Sequence, residues 1–82
     1  MRLTLYYREN CHLCESFRLA LQRLRGELGL EWDEIDIDRD TDLVFRYDSL
    51  VPVLCLGERE LCHYFLDESA LREALETPRS SA

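Results

Sequence analysis

No apolar stretch in this chain approaches the ~20 residues needed to cross a bilayer, and no charged-then-apolar leader opens it. Neither a membrane span nor a signal peptide is therefore expected, and the expected location is cytoplasmic. A basic cluster is missing as well: 10 Lys and Arg stand against 17 Asp and Glu, for a formal net charge of −7. That balance counts against nucleic acid or an anionic membrane surface as a partner. Glycine and proline are scarce, at three and two residues, and no repeat or low-complexity segment is present. What is there is globular in composition, 46% hydrophobic and 33% charged over 82 residues. That is enough chain for one domain with one small core. We place the domain at 1–76 and read 77–82 as a flexible C-terminal tail. A monomer is expected.

Read in order, the chain alternates strand-like and helix-like patterns. Residues 2–7 form a first strand, with Leu3, Leu5 and Tyr7 on one face. Residues 11–28 form a helix, because Cys14, Phe17, Leu21, Leu24 and Leu28 recur at helical spacing, with Leu13 and Ala20 widening the stripe. Asn10 suits the N-cap, and Gly29 suits the left-handed residue that ends such a helix. A second strand spans 30–37, with Ile35 and Ile37 as its inward pair. A strand, a crossover helix and another strand make a right-handed unit with parallel strands. Asp40 caps a short helix over 41–48, whose acidic start suits the positive end of the helix dipole. A third strand, 51–56, is opened by Pro52; Gly57-Glu58 turns the chain, and 59–63 returns antiparallel. Residues 67–76 form the closing helix, with Leu66, Ala70, Leu71, Ala74 and Leu75 as its apolar side, ended by Thr77-Pro78. The sum is an α/β domain of order βαβαββα, a four-stranded mixed sheet flanked by helices, which is the thioredoxin-like arrangement.

Four cysteines could in principle form two disulfides with three connectivities. In a reducing compartment, however, paired cysteines more often serve catalysis or metal binding. Cys11 and Cys14 stand at i and i+3 on the first turn of the first helix. Residues so spaced are neighbours, and a modest tightening of the turn brings their sulfurs into bonding range. The helix N-terminus offers unpaired N–H groups and partial positive charge, which favour a thiolate. Cysteines in this setting have pKa values of roughly 3.5–7.5. Cys11, at the exposed tip, has the attributes of the attacking thiol. Cys14, one turn in and facing the core, would resolve the mixed disulfide. His12 between them either lowers the Cys11 pKa as an imidazolium or is simply an exposed histidine.

Cys55 and Cys62 lie on the two arms of the hairpin, and strand parity across a tight turn puts them on the same side of the sheet. They read as small core residues. The alternative for the cysteines is a small zinc-binding or partner-binding module without catalysis, its metal set being Cys11, Cys14, Cys62 and His63. Against it, Cys62 and His63 are strand neighbours and point to opposite faces.

Cys11-His12-Leu13-Cys14 after a short first strand, followed by Val51-Pro52 opening the hairpin, resembles glutaredoxin. More closely, the chain is similar to small bacterial glutaredoxin-like proteins with a Cys-His-Leu-Cys centre and a Val-Pro-Val strand start. The resemblance covers residues 2–76 in element order. It implies a thiol–disulfide oxidoreductase with Cys11 as nucleophile and Cys14 as resolving thiol, and it reverses the usual trans preference at Val51-Pro52. The backbone beside that cis bond would pair with a bound peptide or thiol. Arg8, His12, Val51, Pro52 and His63 are the candidate substrate-binding residues, and Arg46 is a second cation to set beside Arg8 for binding carboxylates. No tightly bound cofactor is expected. Glutathione is a candidate co-substrate, and the partners are a disulfide-bearing protein or glutathione mixed disulfide, with a reductase or glutathione as electron donor. Glutaredoxins carry Pro-Tyr between the cysteines where this chain has His12-Leu13. They also carry Gly-Gly where it has Cys62-His63, and Asp67-Glu68 arrive about two residues late.

Overall fold

The structure, a computed structural model, describes residues 2–76; the tail expected at 77–82, including Thr77-Pro78, lies outside the described residues. The elements in order are β1 (Arg2–Tyr7), α1 (His12–Leu28), β2 (Glu31–Asp36), a 3-10 turn (Ile37–Arg39), α2 (Thr41–Tyr47), β3 (Val53–Leu56), β4 (Arg59–His63) and α3 (Glu68–Glu76). Strand order in the sheet is β2-β1-β3-β4. β1 and β2 run parallel, β3 is antiparallel to β1, and β4 is antiparallel to β3. The thioredoxin-like arrangement expected from the sequence is the one observed.

Alternation along the strands divides the core into two layers. Leu3 and Leu5 of β1 and Leu54 of β3 face Phe17 and Leu21 of α1 and Leu71 of α3. On the opposite face Val53 and Cys55 pack with Ile37 and Tyr47, with Tyr6 of β1 against them. Helices α1 and α3 therefore cover one face of the sheet and α2 the other. Burying each large apolar side chain contributes ~1.5–3 kcal/mol over leaving it exposed, which is how so short a chain holds a fold.

The helix ends follow from local chemistry. Gly29 closes α1 at φ 66°, with its N–H and that of Leu30 both donated to the Arg25 carbonyl. The Asp40 carboxylate accepts the Asp42 N–H at 2.9 Å and caps α2. Asp67 does the same for α3, accepting from Ala70 N–H at 3.0 Å.

Several expectations need correction. The second strand is Glu31–Asp36, not 30–37, and Ile35 is 37% exposed while Ile37 is fully buried just beyond the strand. Ile35 pairs with Tyr6 on the α2 side, but β2 is the edge strand of the sheet. Three of the four acids of β2 are held by arginines: Arg2 to Asp33 and Glu31, Arg18 to Glu34. Leu13 does not widen the buried stripe of α1; it too is an exposed apolar side chain. The third strand begins at Val53, after Pro52 rather than with it.

The largest correction concerns the hairpin. Leu54 pairs with Cys62 and Cys55 with Glu60, so one extra residue on β4 sits between those pairs as a bulge. A one-residue slip reverses the face of everything beyond it. Cys62 consequently packs against the α1/α3 layer while Cys55 lies in the α2 layer, on opposite sides of the sheet.

Candidate functional site

β1 ends at Tyr7 near the start of β3, since Tyr6 lies opposite Val53. From there the chain turns through Arg8 to Asn10, and α1 begins. Asn10 adopts φ 60°, a left-handed conformation that asparagine tolerates better than most residues. It is not the helix cap. Cys11 occupies that position, and its Sγ accepts the Cys14 N–H at 3.1 Å. The Cys11 carbonyl accepts the Glu15 N–H at 3.1 Å and starts the helical ladder. A sulfur thus stands where Ser or Asp would normally satisfy an orphan amide. The distinction matters chemically, because the cap atom is itself one of the two sulfurs of the Cys-x-x-Cys pair.

Cys11 and Cys14 are joined as a disulfide, with Cα atoms 5.2 Å apart. Cys14 is 2% exposed, on the same face of α1 as Phe17 and Leu21, whereas Cys11 is only half-buried. The disulfide therefore presents one sulfur outward and hides the other.

Beside the disulfide opens a cleft of about 510 Å³. Its lining includes the candidates Arg8 and His12, and also Tyr7, Glu9, Glu15 and Arg18, which sequence reasoning did not single out. Arg18 could have been found: seven residues after Cys11 is two helical turns, which returns to the same side of α1. In the structure it bonds Glu34 at 2.9 Å and lies 5.2 Å from the centre of the Tyr7 ring.

Arg8 is fully engaged. It bonds Asp38 at 3.0 Å and Asp48 at 2.8 Å, one acid before α2 and one after it. Those two carboxylates hold its pKa above the ordinary arginine value. Arg8 thus ties the loop preceding Cys11 to the helix on the far face of the sheet. A carboxylate of an incoming ligand would have to compete with both acids. Arg46 lies over the Tyr47 ring, 5.7 Å from its centre.

Val51, Pro52 and His63 are not among the residues lining the cleft. The Val51-Pro52 bond is cis, as the resemblance implied. It stands just before β3, the strand that runs beside β1, and Pro52 is buried. The Val51 N–H is donated to the Tyr47 carbonyl at 3.2 Å and the Pro52 carbonyl accepts the Tyr64 N–H at 2.9 Å. His63 pairs across the sheet with Val53, but its Nδ1 is 2.9 Å from Glu60 and its ring meets Tyr64 edge-on.

The remaining cysteines lack the attributes of a nucleophile. Burial pushes the Cys55 thiol up, only partly offset by the Tyr47 hydroxyl 3.9 Å away. Burial likewise raises Cys62, whose Sγ accepts the Asp67 N–H at 3.5 Å. No group of three or more Cys, His, Asp or Glu able to hold a metal occurs among the described residues, so the set Cys11, Cys14, Cys62 and His63 is not assembled. Its half on β4 is divided: Cys62 packs into the α1/α3 core layer, and His63 is bonded to Glu60.

The comparisons agree with this geometry. No curated protein matches the chain. Among solved structures it is similar to protein Ne2328 from Nitrosomonas europaea, at 39% identity and TM-score 0.82, covering 92% of this chain and 91% of that one. Protein XcR50 from X. campestris matches at 37% identity and TM-score 0.73, covering 93% and 99%. The glutaredoxin-like NrdH-redoxin of Escherichia coli shares the fold at 22% identity and TM-score 0.63, covering 95% and 97%. The family model described as glutaredoxin-like domain matches residues 2–76, and the chain belongs to that family.

Proposed function

We propose that this protein is a thiol–disulfide oxidoreductase that reduces disulfides in proteins or small molecules through Cys11 and Cys14. One observation carries the reading: the outward sulfur of a Cys-x-x-Cys disulfide is itself the N-cap of a 17-residue helix, with its partner buried one turn in. In the reduced protein the Cys11 thiolate attacks one sulfur of a target disulfide. A Cys11–substrate mixed disulfide forms, and the other substrate sulfur leaves as a thiolate that takes up a proton. Cys14, deprotonated, then attacks the Cys11 sulfur and expels the second substrate thiolate, closing the bond seen here. Two electrons pass to the substrate, and a dithiol or two monothiols must return them.

The Cys14 N–H that meets Cys11 Sγ favours negative charge there at both attack and release. Val51 and Pro52 would flank a bound polypeptide. For a substrate to use the Val51 N–H, its bond to Tyr47 must open. No tightly bound cofactor enters this scheme. Glutathione would be co-substrate or donor, meeting Cys62 and His63 side chains where glutaredoxins have glycines and an Arg8 already held by two acids. A reductase-coupled protein disulfide is therefore the favoured pairing, with a monomer acting in the cytoplasm.

The test is reduction of a disulfide peptide run in parallel with glutathione and with a thioredoxin-type reductase as donor. Turnover with either donor, abolished by Cys11→Ser, is expected. A wild-type rate no higher than that of Cys11→Ser with both donors refutes the function.

A further inference from the structure

Resting on that reading, we propose that the cleft beside Cys11 selects polypeptide disulfides flanked by Arg or Lys, with Glu9 and Glu15 as the specificity-determining residues. The argument is one of which charges in the cleft are already matched. Both of its guanidiniums are engaged: Arg8 by Asp38 and Asp48, Arg18 by Glu34. Its two carboxylates, Glu9 and Glu15, are exposed and have no ion-pair partner among the described residues. The acids that hold the two arginines, Asp38, Asp48 and Glu34, lie outside the cleft lining, so within it two matched guanidiniums stand beside two unmatched carboxylates. An incoming guanidinium or ammonium finds two free carboxylates in the cleft, whereas an incoming carboxylate finds both guanidiniums of its lining already paired. Glu15 lies on the first turn of α1, four residues from Cys11, and Glu9 two residues before it. Both can therefore meet the residues on either side of an attacked disulfide. The preference is for the flanking charge of the substrate and is separate from the chemistry of the sulfurs.

The experiment uses the reduced full-length protein and three synthetic disulfide peptides with Arg, Gln or Glu flanking the cysteines. Single-turnover reduction is followed at about pH 8, above the ordinary range of imidazole titration. Each turnover converts one peptide disulfide to two thiols and the protein dithiol to its disulfide. We expect the Arg peptide to react about tenfold faster than the Glu peptide at low salt, in the range that electrostatic steering provides. The gap should collapse at ~1 M salt, where the screening length is ~3 Å. In Glu9→Gln/Glu15→Gln the Arg-to-Glu ratio should fall to about twofold. Because the readout is a ratio within one variant, any change in Cys11 nucleophilicity cancels. Glu58→Gln/Glu76→Gln, with the same net charge change at the hairpin turn and the end of α3, should keep the tenfold ratio. Equal rates for the three peptides with wild type overturn the selectivity while leaving the oxidoreductase standing, since the Gln peptide still turns over. A ratio lowered equally by the remote pair overturns the assignment to Glu9 and Glu15. Failure of all three peptides to react refutes the oxidoreductase reading itself, and the selectivity with it.

Discussion

Reduce the Cys11–Cys14 bond, expose the protein to iodoacetamide across a range of pH, and quantify each alkylated peptide by mass spectrometry. The structure orders the outcome. Cys11 is half-buried with an amide hydrogen directed at its sulfur, while Cys62 is pushed up by burial, against the weaker opposing pull of the Asp67 N–H. Thiols of helix N-terminal Cys-x-x-Cys pairs titrate at ~3.5–7.5, and a midpoint of ~6.5 within that range lies two units below the free-cysteine value. At pH ~7 such a thiol is about three-quarters ionised, against ~3% for an ordinary cysteine at ~8.5. The more acidic thiolate is also intrinsically weaker, by about tenfold for two units at a Brønsted slope near 0.5. The net advantage at neutral pH is therefore only about two- to threefold. At pH ~5.5 the ionised fractions differ about ninetyfold and the net advantage grows to about ninefold. Low pH, not neutrality, is thus where activation becomes visible. The expected record is a Cys11 rate that levels off above about pH 7.5, while Cys62 is still rising at pH 9. A Cys11 midpoint at or above the free-cysteine value, or equal labelling of Cys11 and Cys62 throughout, refutes the role assigned to the helix terminus.

Three further outcomes follow from the same contacts. Cys14→Ser should accumulate a mixed disulfide on Cys11 when given a disulfide peptide, seen as a mass increase reversed by dithiothreitol; no adduct means Cys11 does not attack first. Gly29→Ala should lower stability by about 1 kcal/mol, because φ 66° disfavours a Cβ even though nothing within 4 Å would clash with it; an unchanged or raised denaturant midpoint contradicts this. Glu34 is partly buried, which alone would raise its pKa. The Arg18 guanidinium and Trp32 indole N–H outweigh that burial and hold the pKa below its ordinary value. A carboxylate with a lowered folded pKa stabilises above its unfolded pKa, ~4.3, and loses that contribution as pH falls through the folded value. Glu34→Gln should therefore be less stable than wild type at neutral pH, the gap closing in acid, and a gap in urea midpoint that persists at pH ~3 would argue against the ion pair as its source.

Some of this was readable before any coordinates and some was not, and the division has a physical basis. Helix α1 was readable because one period decides it: the Cys14–Phe17–Leu21 spacing recurs over 17 residues and leaves no competing face. The Cys11–Cys14 pair came with it, since its placement depends only on two sulfurs and the helix end beneath them. The Cys55 and Cys62 assignment failed because parity counting assumes an unbroken ladder, and a single bulge between Leu54 and Cys55 overturns it with no mark in the letters around it. Asn10 was displaced as cap by the residue after it, a choice between adjacent polar side chains that backbone dihedrals decide.

Arg8 shows the deeper boundary. As a letter it is a cation two residues before a polar turn, equally suited to a ligand carboxylate or to solvent. Which it does depends on Asp38 and Asp48, thirty and forty residues away in sequence, and on the packing that brings both ends of α2 to the loop. The same long-range pairing takes Arg18 out of the cleft's free charge by giving it Glu34. Once both arginines are claimed from outside, the acids beside Cys11 set the sign of the site. The free charge of the cleft is therefore set by the sheet and α2, although every cleft residue lies between Tyr7 and Arg18.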